Sequence, residues 1–183
     1  MDQRMSKDKY YLNIADAVLD RSTCLRRKYG AIIVKNDEIL STGYNGAPRG
    51  RVNCSELGYC NREQLNIPSG QRYELCRSVH AEANAIISAA RRDMIGGTLY
   101  LVGRNAATGA LLHDTTSCAM CRRMIINSGI TRVVNRIGDD GIEIIDVQNW
   151  IVNDESIQPK AEAERARFCF TSAVILIIIS KLD

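Results

Sequence analysis

The stretch GAIIVKNDEILSTGYN, residues 30–45, decides the fold class. It divides into two β-like runs, GAIIVKN and EILSTGYN, bridged by Asn36 and Asp37, a pair that tolerates positive φ, so it predicts a β-hairpin. Before it, apolar residues recur at helical spacing from Tyr10 to Leu19 and predict a first helix ending near Arg21 to Thr23. After it, residues 46–76 are rich in Gly, Arg, Cys, Asn and Pro, with weak helical character only near REQLN, the pattern of a long functional loop or a small insertion. Helices and strands then alternate. A helix from about Val79 to Arg92 is closed by MIGG, TLYLV is a strand, and GRNAATGALLHDTTS is a loop or minor hairpin. CAMCRRMIINS reads as a helix with Gly129 past its end, ITRVVN and IEIIDV as strands, and QNWIVN as a short helix. A hairpin followed by alternating helices and strands implies an α/β domain with one mixed sheet covered on both faces. The two central helices then begin near strand ends, where such sheets hold their ligands.

At 183 residues the chain suits one domain, or one domain with an appendage. The expected division is a main domain over residues 1–155 and an apolar tail over 156–183. The run CFTSAVILIIIS in that tail is shorter than the ~20 residues a bilayer span requires. It reads as an added edge strand or as a segment buried between subunits. A net charge of +3 is too mild to announce a nucleic-acid or membrane partner. The opening MDQRMSKDKYYLNIADAV lacks the apolar core of an export signal, which points to the cytoplasm. The seven cysteines, an odd number, are therefore expected as thiols or metal ligands rather than disulfides.

His80, Glu82, Cys118 and Cys121 carry the chemistry. Cys118 and Cys121, three apart at a helix start, share a face and can bind one ion, and a helix N-terminus favours their thiolates. His80, at the start of the other central helix, would be the third ligand. Three protein ligands leave one position of a tetrahedral zinc for water, the catalytic pattern. Glu82, two residues on, lies in the first helical turn, where both side chains can point past the helix end. There it could take a proton from the bound water and pass protons to a substrate. Either motif alone carries little weight, and a purely structural zinc site is the competing reading. Together they match the H-x-E and C-x-x-C arrangement of zinc deaminases.

The segments SVHAEANAII, TSCAMCRRMIINSGI and GAIIVKNDEILSTGYNGAPRG together resemble the cytidine and deoxycytidylate deaminase superfamily, most closely its bacterial deoxycytidylate deaminases, from about Tyr11 to Ile145. The resemblance implies a three-layer αβα sandwich around a mixed five-stranded sheet. It implies hydrolytic attack at carbon 4 of a cytosine ring, with dCMP giving dUMP and ammonia to supply thymidylate synthesis, Glu82 shuttling protons and the Ala81 amide facing the pyrimidine carbonyl. The rivals are a deaminase for another nucleoside, nucleotide or tRNA base, and a non-catalytic, zinc-stabilised nucleotide-binding or competence accessory protein. Where the family writes proline before the first zinc cysteine this chain has Ser117, a residue suited to capping the helix. The loop ahead of it is longer than usual and lacks the aromatic residue that often lies against the base.

The resemblance extends to other residues. Asn45 of GYNG matches the residue that holds the sugar hydroxyl, an amide being both donor and acceptor, although N-G also simply ends strands. Arg26, two residues after Cys24, matches a cation for the 5′-phosphate. Gly43, Gly46, Arg49 and Arg51 match a regulatory loop that takes dCTP or dTTP with Mg2+, with a solvated basic loop as the alternative. Cys24 and Cys54 match two positions of a second, structural zinc site that Cys60 and Cys76 would complete; buried or free thiols are the alternative. His113 reads as an exposed loop histidine. A homo-oligomer is expected.

Overall fold

A computed structural model describes residues 4–68 and 70–154. The expected boundary at 155 and the apolar tail lie outside the described residues. Among those residues, helices and one five-stranded sheet follow the predicted order, with strands arranged β2-β1-β3-β4-β5.

Helix α1 spans Lys7–Leu19 and starts where the Ser6 hydroxyl accepts from the Lys9 amide. It therefore begins three residues earlier than its apolar pattern. The hairpin strands are β1, Arg27–Lys35, and β2, Glu38–Tyr44. Asn36 and Asp37 join them with φ of 51° and 65°, the left-handed geometry that matches the twist of the strands. The loop beyond β2 holds α2, Cys54–Leu57, then α3, Asn61–Gln64, and a single 3₁₀ turn, Tyr73–Leu75.

Helix α4, Ala81–Ile87, stops short of the predicted Arg92. The Ser88 hydroxyl donates to the Asn84 carbonyl at 2.8 Å and the backbone turns extended at Ala90. A separate helix α5, Arg91–Met94, then directs Met94 into the core, where it is buried. Strand β3, Thr98–Asn105, pairs antiparallel with β1. Helix α6, Ala119–Ser128, ends at Gly129, whose φ of 82° closes it in the left-handed region. Strand β4, Arg132–Ile137, runs parallel to β3, β5, Gly141–Asp146, returns antiparallel to β4, and α7, Gln148–Val152, follows.

Alternation along the strands divides the core into two layers. Ala31, Ile33, Leu99, Leu101 and Val133 face α4 and α6 and pack on Ala81, Ala85 and Ile125. Ile32, Val34, Tyr100, Val102 and Val134 face the other way and pack on Tyr11, Leu12, Ala15 and Leu19 of α1. This is the expected αβα arrangement. Asp8 fastens α1 to the far side of the sheet by accepting two hydrogen bonds from Arg132, at 2.9 and 2.8 Å, and one from the Tyr100 hydroxyl at 2.9 Å.

Two glycines set how closely the helices approach. A Cβ on Gly30 would overlap the Ala15 carbonyl and Leu19 amide of α1, and one on Gly43 would overlap the Ala81 carbonyl and Ala85 amide of α4. Gly43 thus seats the helix that His80 caps. On the α1 side, Ile142 and Ile144 of β5 stay 40% and 56% exposed. No helix among the described residues is long and apolar enough to cross a membrane.

Candidate active site

His80 and Cys118 occupy equivalent positions, each the N-cap of its helix with extended backbone, φ/ψ −71°/156° and −68°/163°. Both side chains therefore leave their helices at the end where first-turn amides are free of intrahelical partners. Cys118, not Ser117, caps α6, which corrects the expectation that serine would do so. Ser117 is instead buried, its carbonyl accepts from Arg122 Nε at 3.0 Å, and its hydroxyl completes no hydrogen bond of normal geometry with the described residues.

His80 Nδ1 lies 3.5 Å from Cys118 Sγ and 3.4 Å from Cys121 Sγ, and the three ligand atoms fall within 4.8 Å of one another. Zinc bonds of about 2.3 Å to sulfur and about 2.0 Å to nitrogen, at a tetrahedral angle, put sulfur and nitrogen roughly 3.5 Å apart. The donor set and its spacing thus fit zinc, with one position left over. The two thiols behave as a pair. Cys118 is drawn toward thiolate, first by the Cys121 thiol and also by His80, while Cys121 is pushed the opposite way by its contact with Cys118, by burial and by the Glu82 charge. Burial disfavours the charged form of His80, but Cys118 and Glu82 outweigh it and raise its pKa.

Glu82 is 4% exposed, and burial pushes its carboxyl above the ordinary glutamate value, against the pull of its own backbone amide and of His80. A carboxyl held this way accepts a proton more readily than a solvated one, as a proton shuttle requires.

His80, Ala81 and Glu82 open onto a pocket that Asn45 and Arg26 also line. Asn45, by contrast with its predicted double capacity, is already committed. Its Oδ1 accepts from the Tyr29 amide at 2.7 Å and the Ser22 hydroxyl at 2.6 Å, and its Nδ2 donates to the Arg27 carbonyl at 2.9 Å. Both acceptor directions are filled and one N–H is left, so Asn45 can meet a ligand only as a donor. Arg26 Nε lies 2.9 Å from Glu63 Oε1.

The four residues expected for an effector divide. Gly43 lies beneath α4, Gly46 exchanges backbone hydrogen bonds with Val79 at 3.2 and 2.8 Å, and Arg49 and Arg51 are exposed. The four remaining predicted cysteines lie near one another without closing to ligand distance. Ser55 N donates to Thr23 O at 3.2 Å, drawing Cys54 toward Cys24, and Asn61 Nδ2 donates to Leu75 O at 3.2 Å, drawing Cys60 toward Cys76. Burial and then the other three thiols push the Cys54 thiol up. Their ligand atoms are not as tightly grouped as those of the His80 set, the one such cluster among the described residues. His113 is exposed and packs on Gly138, as expected of a loop histidine.

Arg62 and Tyr73 also line the pocket, and motif reading missed both. The Arg62 guanidinium stacks 4.7 Å over the Tyr73 ring, which meets His80 edge-on at 5.1 Å. Tyr73 thus supplies an aromatic wall from the long loop rather than from the segment where one was sought. An Arg and a Tyr eleven residues apart in a loop carry no periodic signal.

The family model of the cytidine and deoxycytidylate deaminase zinc-binding region matches residues 5–136. The deoxycytidylate deaminase of Mycobacterium phage D29 is 40% identical over 132 residues, covering 69% of this chain and 91% of the phage protein. That of Schizosaccharomyces pombe is 37% identical over 131 residues, covering 72% of this chain but 37% of the yeast protein. The crystal structure of dCMP deaminase from the cyanophage S-TIM5 in complex with dCMP and dUMP is similar with a TM-score of 0.51 at 26% identity, over 73% of this chain and 85% of that one. With the His80–Cys118–Cys121 cluster and the strand order already described, these similarities place the chain in the cytidine and deoxycytidylate deaminase family.

Proposed function

We propose that this chain converts dCMP and water to dUMP and ammonia. The observation that carries the reading is a buried glutamate beside a three-ligand zinc cluster, at the floor of a pocket that also holds an amide donor and an arginine. It is supported by the similarity to deoxycytidylate deaminases of phage and yeast.

Zinc held by His80, Cys118 and Cys121 would keep a fourth position for water and lower that water's pKa to about 7. Glu82 takes the proton the water gives up as its oxygen adds to carbon 4 of the cytosine ring. It passes that proton to the ring nitrogen, then takes the second proton from the added oxygen, which becomes the new carbonyl, and gives it to the departing amine, which leaves as ammonia. The free Ala81 amide at the start of α4 holds the pyrimidine carbonyl, the remaining Asn45 N–H donates to a sugar hydroxyl, and Arg26 pairs with the 5′-phosphate. The deciding experiment is ammonia release from dCMP by zinc-replete protein, with CMP, deoxycytidine and adenosine run alongside. Turnover of dCMP well above deoxycytidine is expected. Equal turnover of the two would overturn the assignment of a nucleotide substrate.

The same proposal includes a second, structural zinc on Cys24, Cys54, Cys60 and Cys76, supported by the nearness of the other three thiols to Cys54 in a segment with little core of its own. Cys54→Ser should lower the zinc content from two to one per chain and leave the His80 cluster loaded. Control by dCTP and dTTP with Mg2+, a homo-oligomeric state and a cytoplasmic setting belong to this reading as well. For the effectors the support is the exposed pair Arg49 and Arg51.

A further inference from the structure

The pocket's two flanking arginines each carry a carboxylate from a different loop. Arg27 Nη1 lies 2.9 Å from Asp114 Oδ2, and Arg26 Nε lies 2.9 Å from Glu63 Oε1. Glu63 belongs to α3, a four-residue helix in the long loop, and α3 is anchored rather than loose. Its neighbour Arg62 is 6% exposed, donates through Nη2 to the carbonyls of Pro68 at 2.8 Å and Gln71 at 2.6 Å, and stacks on Tyr73. Asn61 ties the same helix to the Leu75 carbonyl. One helix thus sends a buried cation into the pocket and holds a carboxylate against the cation at its rim.

We propose that the Glu63 carboxylate is a place-holder for the substrate's phosphate: it occupies Arg26 in the free protein and is displaced when a nucleoside monophosphate binds. The inference rests on the proposed function, because it takes Arg26 as the phosphate cation. The exchange is physically feasible because the two partners differ in strength. The Glu63 side chain is 57% exposed and that of Arg26 30%, so the resident pair is weak. A phosphate monoester brings close to two negative charges and can engage a guanidinium through two parallel hydrogen bonds. After the reaction the order reverses. Glu63 re-forms its pair as the phosphate lifts away, so the same carboxylate that taxes binding speeds release. Glu63 is a specificity-tuning residue that acts through Arg26 and does not touch the reacting atoms.

The test uses the full-length, zinc-replete protein and the product pair dUMP and deoxyuridine, which differ only by the phosphate. Binding is measured by calorimetry and dUMP release by stopped flow. Glu63→Gln removes the charge and keeps the shape. It should tighten dUMP about two- to fivefold, the range given by an exposed ion pair, slow dUMP release by a similar factor and leave deoxyuridine affinity unchanged. Glu63→Asp should restore wild-type behaviour in part. In an Arg26→Ala background, Glu63→Gln should have no effect. Equal tightening of dUMP and deoxyuridine would mean a change of pocket shape and overturn the proposal, as would unchanged or weakened dUMP binding. Tightening by Asp114→Asn in place of Glu63→Gln would overturn it too and move the phosphate to Arg27. Wild-type protein that binds dUMP no better than deoxyuridine would show instead that the phosphate subsite itself is misassigned, a separate failure seen before any variant is made.

Discussion

His80 Nδ1 and Cys121 Sγ stand 3.4 Å apart although 41 residues separate them, because α4 and α6 both begin over the same side of the sheet. Between them in sequence run α5, all of β3 and the loop that leads to α6. The cluster therefore exists only when α4, seated on β1 and β2, meets α6, so the candidate metal site and the core are one cooperative structure.

In the proposed reaction Glu82 supplies a proton path, and the cluster of ligand atoms does not include it. Glu82→Gln is expected to keep zinc content and circular dichroism at wild-type values while ammonia release from dCMP falls at least about 100-fold, the lower bound for loss of a general acid–base group. Loss of zinc together with activity would make Glu82 a ligand and defeat the assignment.

Asn45 is expected to matter twice. Asn45→Ala removes the acceptor for the Tyr29 amide and the donor to the Arg27 carbonyl, so urea unfolding without ligand should show a loss of about 1–3 kcal/mol. Activity assays of this variant need that correction before any loss is ascribed to a sugar contact.

The hairpin, the strand sequence and the meeting of His80, Cys118 and Cys121 were readable because each has a local physical cause: positive φ at Asn36 and Asp37, continuous buried runs in β1 and β3 that alternate between the two layers, and helix starts at His80 and Cys118. The break in α4 was not, since Ile-Ile-Ser-Ala-Ala continues a helical pattern and the stop shows only in the backbone, where the Ser88 and Ala89 amides donate three residues back and Ala90 turns extended. Arg62 and Tyr73 escaped for a related reason. Arg62 is held by main-chain carbonyls of Pro68 and Gln71, and carbonyls leave no trace in residue identity.

Asp8 gives a pH test of how α1 is held. Hydrogen bonding to Arg132 first, and to Tyr100 after the opposing effect of burial, keeps its carboxyl below the ordinary aspartate range, while the Tyr100 hydroxyl is pushed up to about 12. A lowered folded-state value means the stabilisation is present above the unfolded pKa and disappears as pH falls through the folded one. Asp8→Asn should cost about 1 kcal/mol in urea unfolding at pH 7, with the difference constant down to about pH 5 and shrinking as pH drops through 4. A difference that persists at lower pH would point to lost packing rather than lost charge.

Gly43→Ala should destabilise the fold by about 1–3 kcal/mol, because the added methyl meets the backbone of α4, which cannot rotate aside as a side chain can. Because α4 carries His80, weaker zinc retention in a chelator titration should accompany the loss.

Gly30 and Gly43, one beneath each layer of helices, have no reactive atom and no ligand to bind. In a library of every single substitution selected for growth that depends on product made by the enzyme, substitutions larger than alanine at both positions would nonetheless be as depleted as those at Glu82. Sorting the surviving and lost variants by soluble yield would separate them: substitutions larger than alanine at the two glycines would be depleted from the soluble fraction, whereas Glu82→Gln would remain there, folded and silent.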